Sequence, residues 1–121
     1  MTALRSGSRA ATVSALLALA SVGLHLAVLY WPVVTVSGPV SWTDKVVHLL
    51  VFAVPTYAVG RALRSVWPAV AVLAVHAPVS ELVQHYGLPG RTGDVWDAVL
   101  DLVGVTLGAA VLLVEARRRN W

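Results

Sequence analysis

Three short segments carry most of the side chains in this chain that could do chemistry: Asp44, Lys45 and His48; Glu81, Gln84 and His85; and Arg91, Asp94, Asp97 and Asp101. Asp44 and His48 are four residues apart, Glu81 is three from Gln84 and four from His85, and Asp97 is four from Asp101. On a helix each set shares a face. The last stripe continues through Gly104 and Gly108, small residues that let a neighbouring backbone approach closely. Two kinds of chemistry fit these residue types. His48, Glu81, Asp97 and Asp101 are candidate oxygen and imidazole ligands for a divalent cation, with another carboxylate as general base. Lys45 and Arg91 would meet a phosphate or carboxylate, while the acids would meet amines or hydroxyls. Arg91 has the planar fork that grips a carboxylate in bidentate fashion, so Glu81, Arg91 and Asp97 are expected at the centre of one coupled site, with Asp101 beneath. No HExxH pair or nucleophile elbow is present. The absence of cysteine excludes disulfides, thiolate metal sites and a cysteine nucleophile.

The elements that must hold these residues follow from composition. Of 121 residues, 58% are hydrophobic and only 12% charged, far from the balance of a soluble domain. The apolar residues form four blocks, each near the roughly 20 residues a helix needs to cross ~30 Å of hydrocarbon. We expect an all-α fold, a single four-helix transmembrane bundle over 1–121, with helices over about 10–31, 44–63, 66–86 and 95–115 and no room for a soluble domain. Tyr30 and Trp31 close the first block as an interfacial pair. Its start also has the form of a secretory signal, with arginines ahead of an apolar run and Ala18-Leu19-Ala20 as a cleavage site, but the run continues past that site and is long enough to span. Pro32, Gly38 and Pro39 mark a loop, after which Ser41 or Thr43 is placed to cap the second helix, and Pro55 is expected to kink it. Arg64 and Ser65 alone separate the second and third helices, which must form an antiparallel hairpin. Gly87, Pro89 and Gly90 end the third helix, which contains Pro78.

Arg5, Arg9, Arg61, Arg64, Arg117, Arg118 and Arg119 fall on one side of four spans, and only Lys45 and Arg91 on the other. That asymmetry places both termini in the cytoplasm and the polar cluster at the outer face. It also explains the net charge of +3 better than nucleic-acid binding would. Every acidic residue except Glu115 lies in the cluster. A carboxylate near the bilayer centre costs on the order of 2.5–3.5 kcal/mol, so Glu81 and Asp101 should be paired or hydrated inside the bundle. Each residue also has a plainer reading. Asp44 with Lys45, and Arg91 with Asp94, suit a solvated interface; His25 and His76 suit bonded contacts between helices; Gly104 and Gly108 suit helix packing; Trp31, Trp42, Tyr86 and Trp96 at one face and Trp67 and Trp121 at the other suit interface anchors.

The combination Asp44-Lys45-x-x-His48, Glu81-x-x-Gln84, Arg91-x-x-Asp94-x-x-Asp97, Gly104 and Gly108 resembles the VanZ-like family of small bacterial membrane proteins. The resemblance covers somewhat more than half the chain, and Asp101 stands where that family often has asparagine. It implies a multi-pass protein of the bacterial cell membrane and envelope, linked through the family's name-giving member to resistance to the glycopeptide teicoplanin. It does not imply a reaction. The leading expectation is a non-enzymatic or undefined envelope module whose outer-leaflet site binds a lipid head group, a cell-wall precursor or a glycopeptide-like ligand. The alternative is an intramembrane, metal-dependent hydrolase or transferase acting on a lipid-linked substrate. Proton-coupled transport would need polar groups in the inner half of the bundle, where His76 and Tyr57 stand nearly alone. No organic cofactor is expected, and a divalent metal is the one candidate. The expected partners are the lipid bilayer and such a ligand, with oligomerisation left open and nucleic acid excluded.

Overall fold

Long apolar runs with no water to satisfy their backbone must close every N–H and C=O within the segment, and helices do so. The computed structural model describes residues 2–31, 42–88 and 94–121, with side chains from residue 7 onward. All regular structure among them is helical: α1 (Thr2–Tyr30), α2 (Thr43–Leu63), α3 (Val66–Gly87) and α4 (Val95–Arg119). Each is long and apolar enough to cross a membrane, the build of a multi-pass membrane protein. The expected starts of α2, α3 and α4 hold to within a residue. α1 instead begins at Thr2, eight residues early, because Ala3, Leu4 and Arg5 favour helix whether or not lipid surrounds them. α4 runs on through the arginine run to Asn120, whose left-handed φ of 52° lets the Asn120 and Trp121 N–H groups donate back to the Arg117 and Ala116 carbonyls. Thr43 does not cap α2: Trp42 is the cap residue and provides no side-chain bond, and Thr43 is already helical; the other candidate, Ser41, lies outside the described residues.

α2 is the central helix. It packs against α1, α3 and most extensively α4, while α1 makes no packing contact with α4 among the described residues. The close α2–α4 approach is set by the small-residue stripe. A Cβ added at Gly104 would lie 2.2 Å from the Leu49 carbonyl oxygen, and one at Gly108 would lie 2.4 Å from that of Ala53. Only glycine admits this backbone contact. The tight α2–α3 hairpin closes through Arg64 in the left-handed region, with Ser65 N–H donating to the Gly60 carbonyl at 3.0 Å. Leu29, Phe52, Leu73, Ala77 and Val105 form the buried core, and large apolar side chains such as Leu16, Leu19, Val72 and Val111 face outward, as lipid contact requires.

α2 continues through Pro55, whose ring nitrogen has no hydrogen for the Val51 carbonyl four residues back. That carbonyl is bonded instead from another helix, by His25 Nδ1 at 2.7 Å. A carbonyl only accepts, so His25 Nδ1 carries the hydrogen. In neutral rings the direction of the rest follows: His76 Nδ1–H donates to His25 Nε2 at 2.9 Å, and the Tyr30 hydroxyl donates to His76 Nε2 at 2.5 Å. His25 and His76 therefore have the bonded interhelical role their positions suggest.

Candidate functional site

The cluster forms where the C-terminal ends of α1 and α3 meet the N-terminal ends of α2 and α4. At ~1.5 Å per residue, His48, Glu81 and Asp101 sit about 7–9 Å inside their helix ends. Each reaches the site because its helix buries the face on which it lies. His48 follows the apolar face of α2 that continues to Phe52, and Asp101 precedes Gly104 on the α4 stripe, which rests against α2. The depth of burial is graded. Asp101 is fully enclosed, His48, Glu81 and Asp97 are buried, and Asp44 and Asp94 are nearly half exposed at the rim.

His48 is the hub. Its Nδ1 bonds Asp101 Oδ1 at 2.9 Å and lies 3.7 Å from Glu81 Oε1, while its Nε2 lies 3.5 Å from Asp97 Oδ2 and 3.9 Å from Asp44 Oδ1. Two triads share this ring. His48, Glu81 and Asp101 form the deep one, and His48, Asp44 and Asp97 the shallow one; in each, three donor atoms lie within 4.8 Å of one another. Glu81 Oε2 accepts the Asp94 backbone N–H at 3.1 Å, tying α3 to the start of α4. Its other oxygen, Oε1, and Asp101 Oδ2 are buried without a hydrogen-bond partner among the described residues.

Lys45 bridges the rim of α2 to α4, bonding Asp94 Oδ2 at 3.0 Å and also Asp97. Asp94 in turn caps α4 by accepting the Trp96 N–H at 2.9 Å. The Lys45 ammonium, followed by the Trp96 N–H, holds the Asp94 carboxyl below the usual carboxylate range. Asp94 thus stays ionised, and α4 stays capped, until pH falls below the ordinary carboxylate range.

Of the residues the spacing singled out, Asp44, Lys45, His48, Glu81, Asp94, Asp97 and Asp101 converge on this site. Gln84 does not join them: its side-chain amide donates to the Leu29 carbonyl of α1 at 2.9 Å. His85 packs edge-on against Tyr86 at the helix end. Arg91, expected at the centre, lies outside the described residues, and the described cation on Asp97 is Lys45. Gly104 and Gly108 pack against the α2 backbone directly below.

A second polar cluster at the opposite end went unread in the sequence. Glu115 accepts from Tyr57 and is paired at 3.1 Å with both Arg61 and Arg119, while Arg61 donates to the Tyr57 hydroxyl at 2.7 Å. Tyr57 with Arg61 and Glu115 with Arg119 are each four residues apart, and that spacing was the available signal. The chain matches no family model, no curated protein and no solved structure.

Proposed function

We propose that this protein is a VanZ-like component of the bacterial cell envelope, inserted in the cell membrane with both termini cytoplasmic, whose cluster at the outer leaflet binds an amine-bearing ligand. A lipid head group, a lipid-linked envelope precursor and a glycopeptide all offer that chemistry. The VanZ-like part rests on the order and spacing of Asp44, Lys45, His48, Glu81, Gln84, Arg91, Asp94, Asp97, Gly104 and Gly108 in the sequence. The amine rests on one observation: five carboxylates surround His48 and Lys45, and Lys45 is already bonded to two of them. The lysine that would have received a phosphate is engaged, whereas the Asp44 and Asp94 carboxylates are nearly half exposed at the rim, where a donor can reach them. A primary ammonium can bond to such carboxylates through charge-assisted hydrogen bonds, and a bare phosphate would be repelled by them.

Native mass spectrometry of the protein released from nanodiscs of equal phosphatidylethanolamine and phosphatidylglycerol tests this directly. The wild type should retain the amine-bearing lipid in preference, and the rim variants Asp44→Asn and Asp94→Asn should each lose most of that preference. Equal retention of the two lipids by the wild type, or an undiminished preference in both variants, defeats the reading.

A further inference from the structure

The deep triad is chemically distinct from the rim, and it need not serve the same ligand. We propose that His48 Nδ1, Glu81 and Asp101 bind one first-row divalent cation of the Zn²⁺ or Mn²⁺ type, beneath and independent of the head-group site. Three observations carry this. The donor atoms come from three different helices and lie within 4.8 Å of one another, with separations from Nδ1 of 2.9 Å to Asp101 and 3.7 Å to Glu81. Ligands at about 2.0–2.2 Å from a tetrahedral ion stand roughly 3.3–3.6 Å apart, so only small side-chain shifts are required. The side chains are more than nine-tenths buried, yet Glu81 Oε1 and Asp101 Oδ2 have no hydrogen-bond partner among the described residues. Buried carboxylate oxygens of this kind demand a counter-charge.

Charge and ligand type then select the occupant. Two carboxylates and a neutral imidazole balance a doubly charged ion to zero, the net charge a site inside a membrane span favours. One nitrogen with two oxygen ligands suits Zn²⁺ or Mn²⁺ better than Mg²⁺, which keeps to oxygen and demands octahedral geometry. With the metal on Nδ1, the hydrogen of His48 sits on Nε2, facing Asp97 Oδ2 at 3.5 Å. Such an outer carboxylate fixes the tautomer of a metal-bound imidazole. Lys45 on the far oxygen of Asp97 makes that residue a poor direct ligand, which favours the deep triad over the shallow one. Three protein ligands leave a fourth position for water or a ligand oxygen.

The test uses Zn²⁺ or Mn²⁺ alone, so its outcome is separate from that of the lipid experiment. Full-length protein stripped with chelator in detergent should take up one ion per chain, and its Tm should rise with added Zn²⁺ and fall back on re-chelation. Asp101→Asn and His48→Gln should each weaken uptake at least 100-fold, Asp97→Asn by about 10–100-fold as an outer-shell residue. Glu115→Gln, a carboxylate change at the other end, should bind as the wild type does. Wild-type protein showing neither uptake nor a Tm response overturns the proposal, whatever the variants do. So does Asp44→Asn costing more than Asp101→Asn, which would place the ion in the shallow triad.

Discussion

Removing Lys45 would strand two carboxylates in unequal surroundings: Asp94 is nearly half exposed and water can take over its bonds, but the side chain of Asp97 is only 9% exposed. Loss of one partner of a buried ion pair is costly because the surviving charge stays desolvated, and here the lysine's own partial exposure reduces the effect. Lys45→Met should therefore lower stability by about 1–3 kcal/mol in detergent unfolding titrations, and adding Asp97→Asn to it should recover most of that loss. Additive losses in the double variant would mean that Lys45 contributes by packing its stem and not by its charge. This pair also marks the limit of reading residues by spacing. Asp97 and Asp101 are legible as one face because they are four apart on one helix, whereas Lys45 beside Asp44 reads as a local interfacial pair. Its flexible stem reaches a different helix, which no count along one helix reports. Gln84 fails for a related reason: three residues advance a helix about 300°, so it stands roughly 60° from Glu81, enough to aim it at α1.

Helix boundaries were legible because apolar length and the breaks at Gly, Pro and charge determine them, and they missed only where a helix continues beyond the lipid-compatible stretch. What joins the helices was less so. From the sequence Pro55 predicts a kink, which concerns α2 alone; its structural consequence is the Val51 carbonyl it leaves without a bond along the helix, taken up by His25 of α1. An unbonded carbonyl in hydrocarbon costs about 1–3 kcal/mol. His25→Leu should then destabilise the protein by at least that much, since it also disrupts the bonds through His76 to Tyr30. In a Pro55→Ala background the restored N–H can reach Val51 along the helix, so the same His25→Leu change should cost about 1 kcal/mol less. Thermal unfolding of the four proteins of this cycle measures the coupling directly. Equal costs in both backgrounds would show that His25 matters for its rings and packing and not for the carbonyl that proline exposes.

At the scale of the molecule, polar groups gather at the two ends of an apolar bundle, and the ends differ in sign. His48 is ringed by carboxylates at one end, with Lys45 neutralised by its bonds to Asp94 and Asp97. At the other, Glu115 is outnumbered by Arg61 and Arg119, with Arg64, Arg117 and Arg118 close by in sequence. Positive residues near span ends resist translocation far more strongly than acidic residues promote it. The arginine-rich end should therefore remain cytoplasmic, and an even number of spans puts both termini there. Single cysteines replacing Trp42 and Tyr86, exposed beside the site, should react with an impermeant maleimide in intact cells. Cysteines replacing Ser8 and Asn120, exposed toward the other end, should react only after permeabilisation. The reverse pattern would turn the protein over and direct the His48 site to the cytoplasm, ending the outer-leaflet reading while leaving the metal triad intact. Labelling of Ser8 and Trp42 positions together, with Asn120 protected, would mean that α1 does not span, and the four-span architecture would then fail with it.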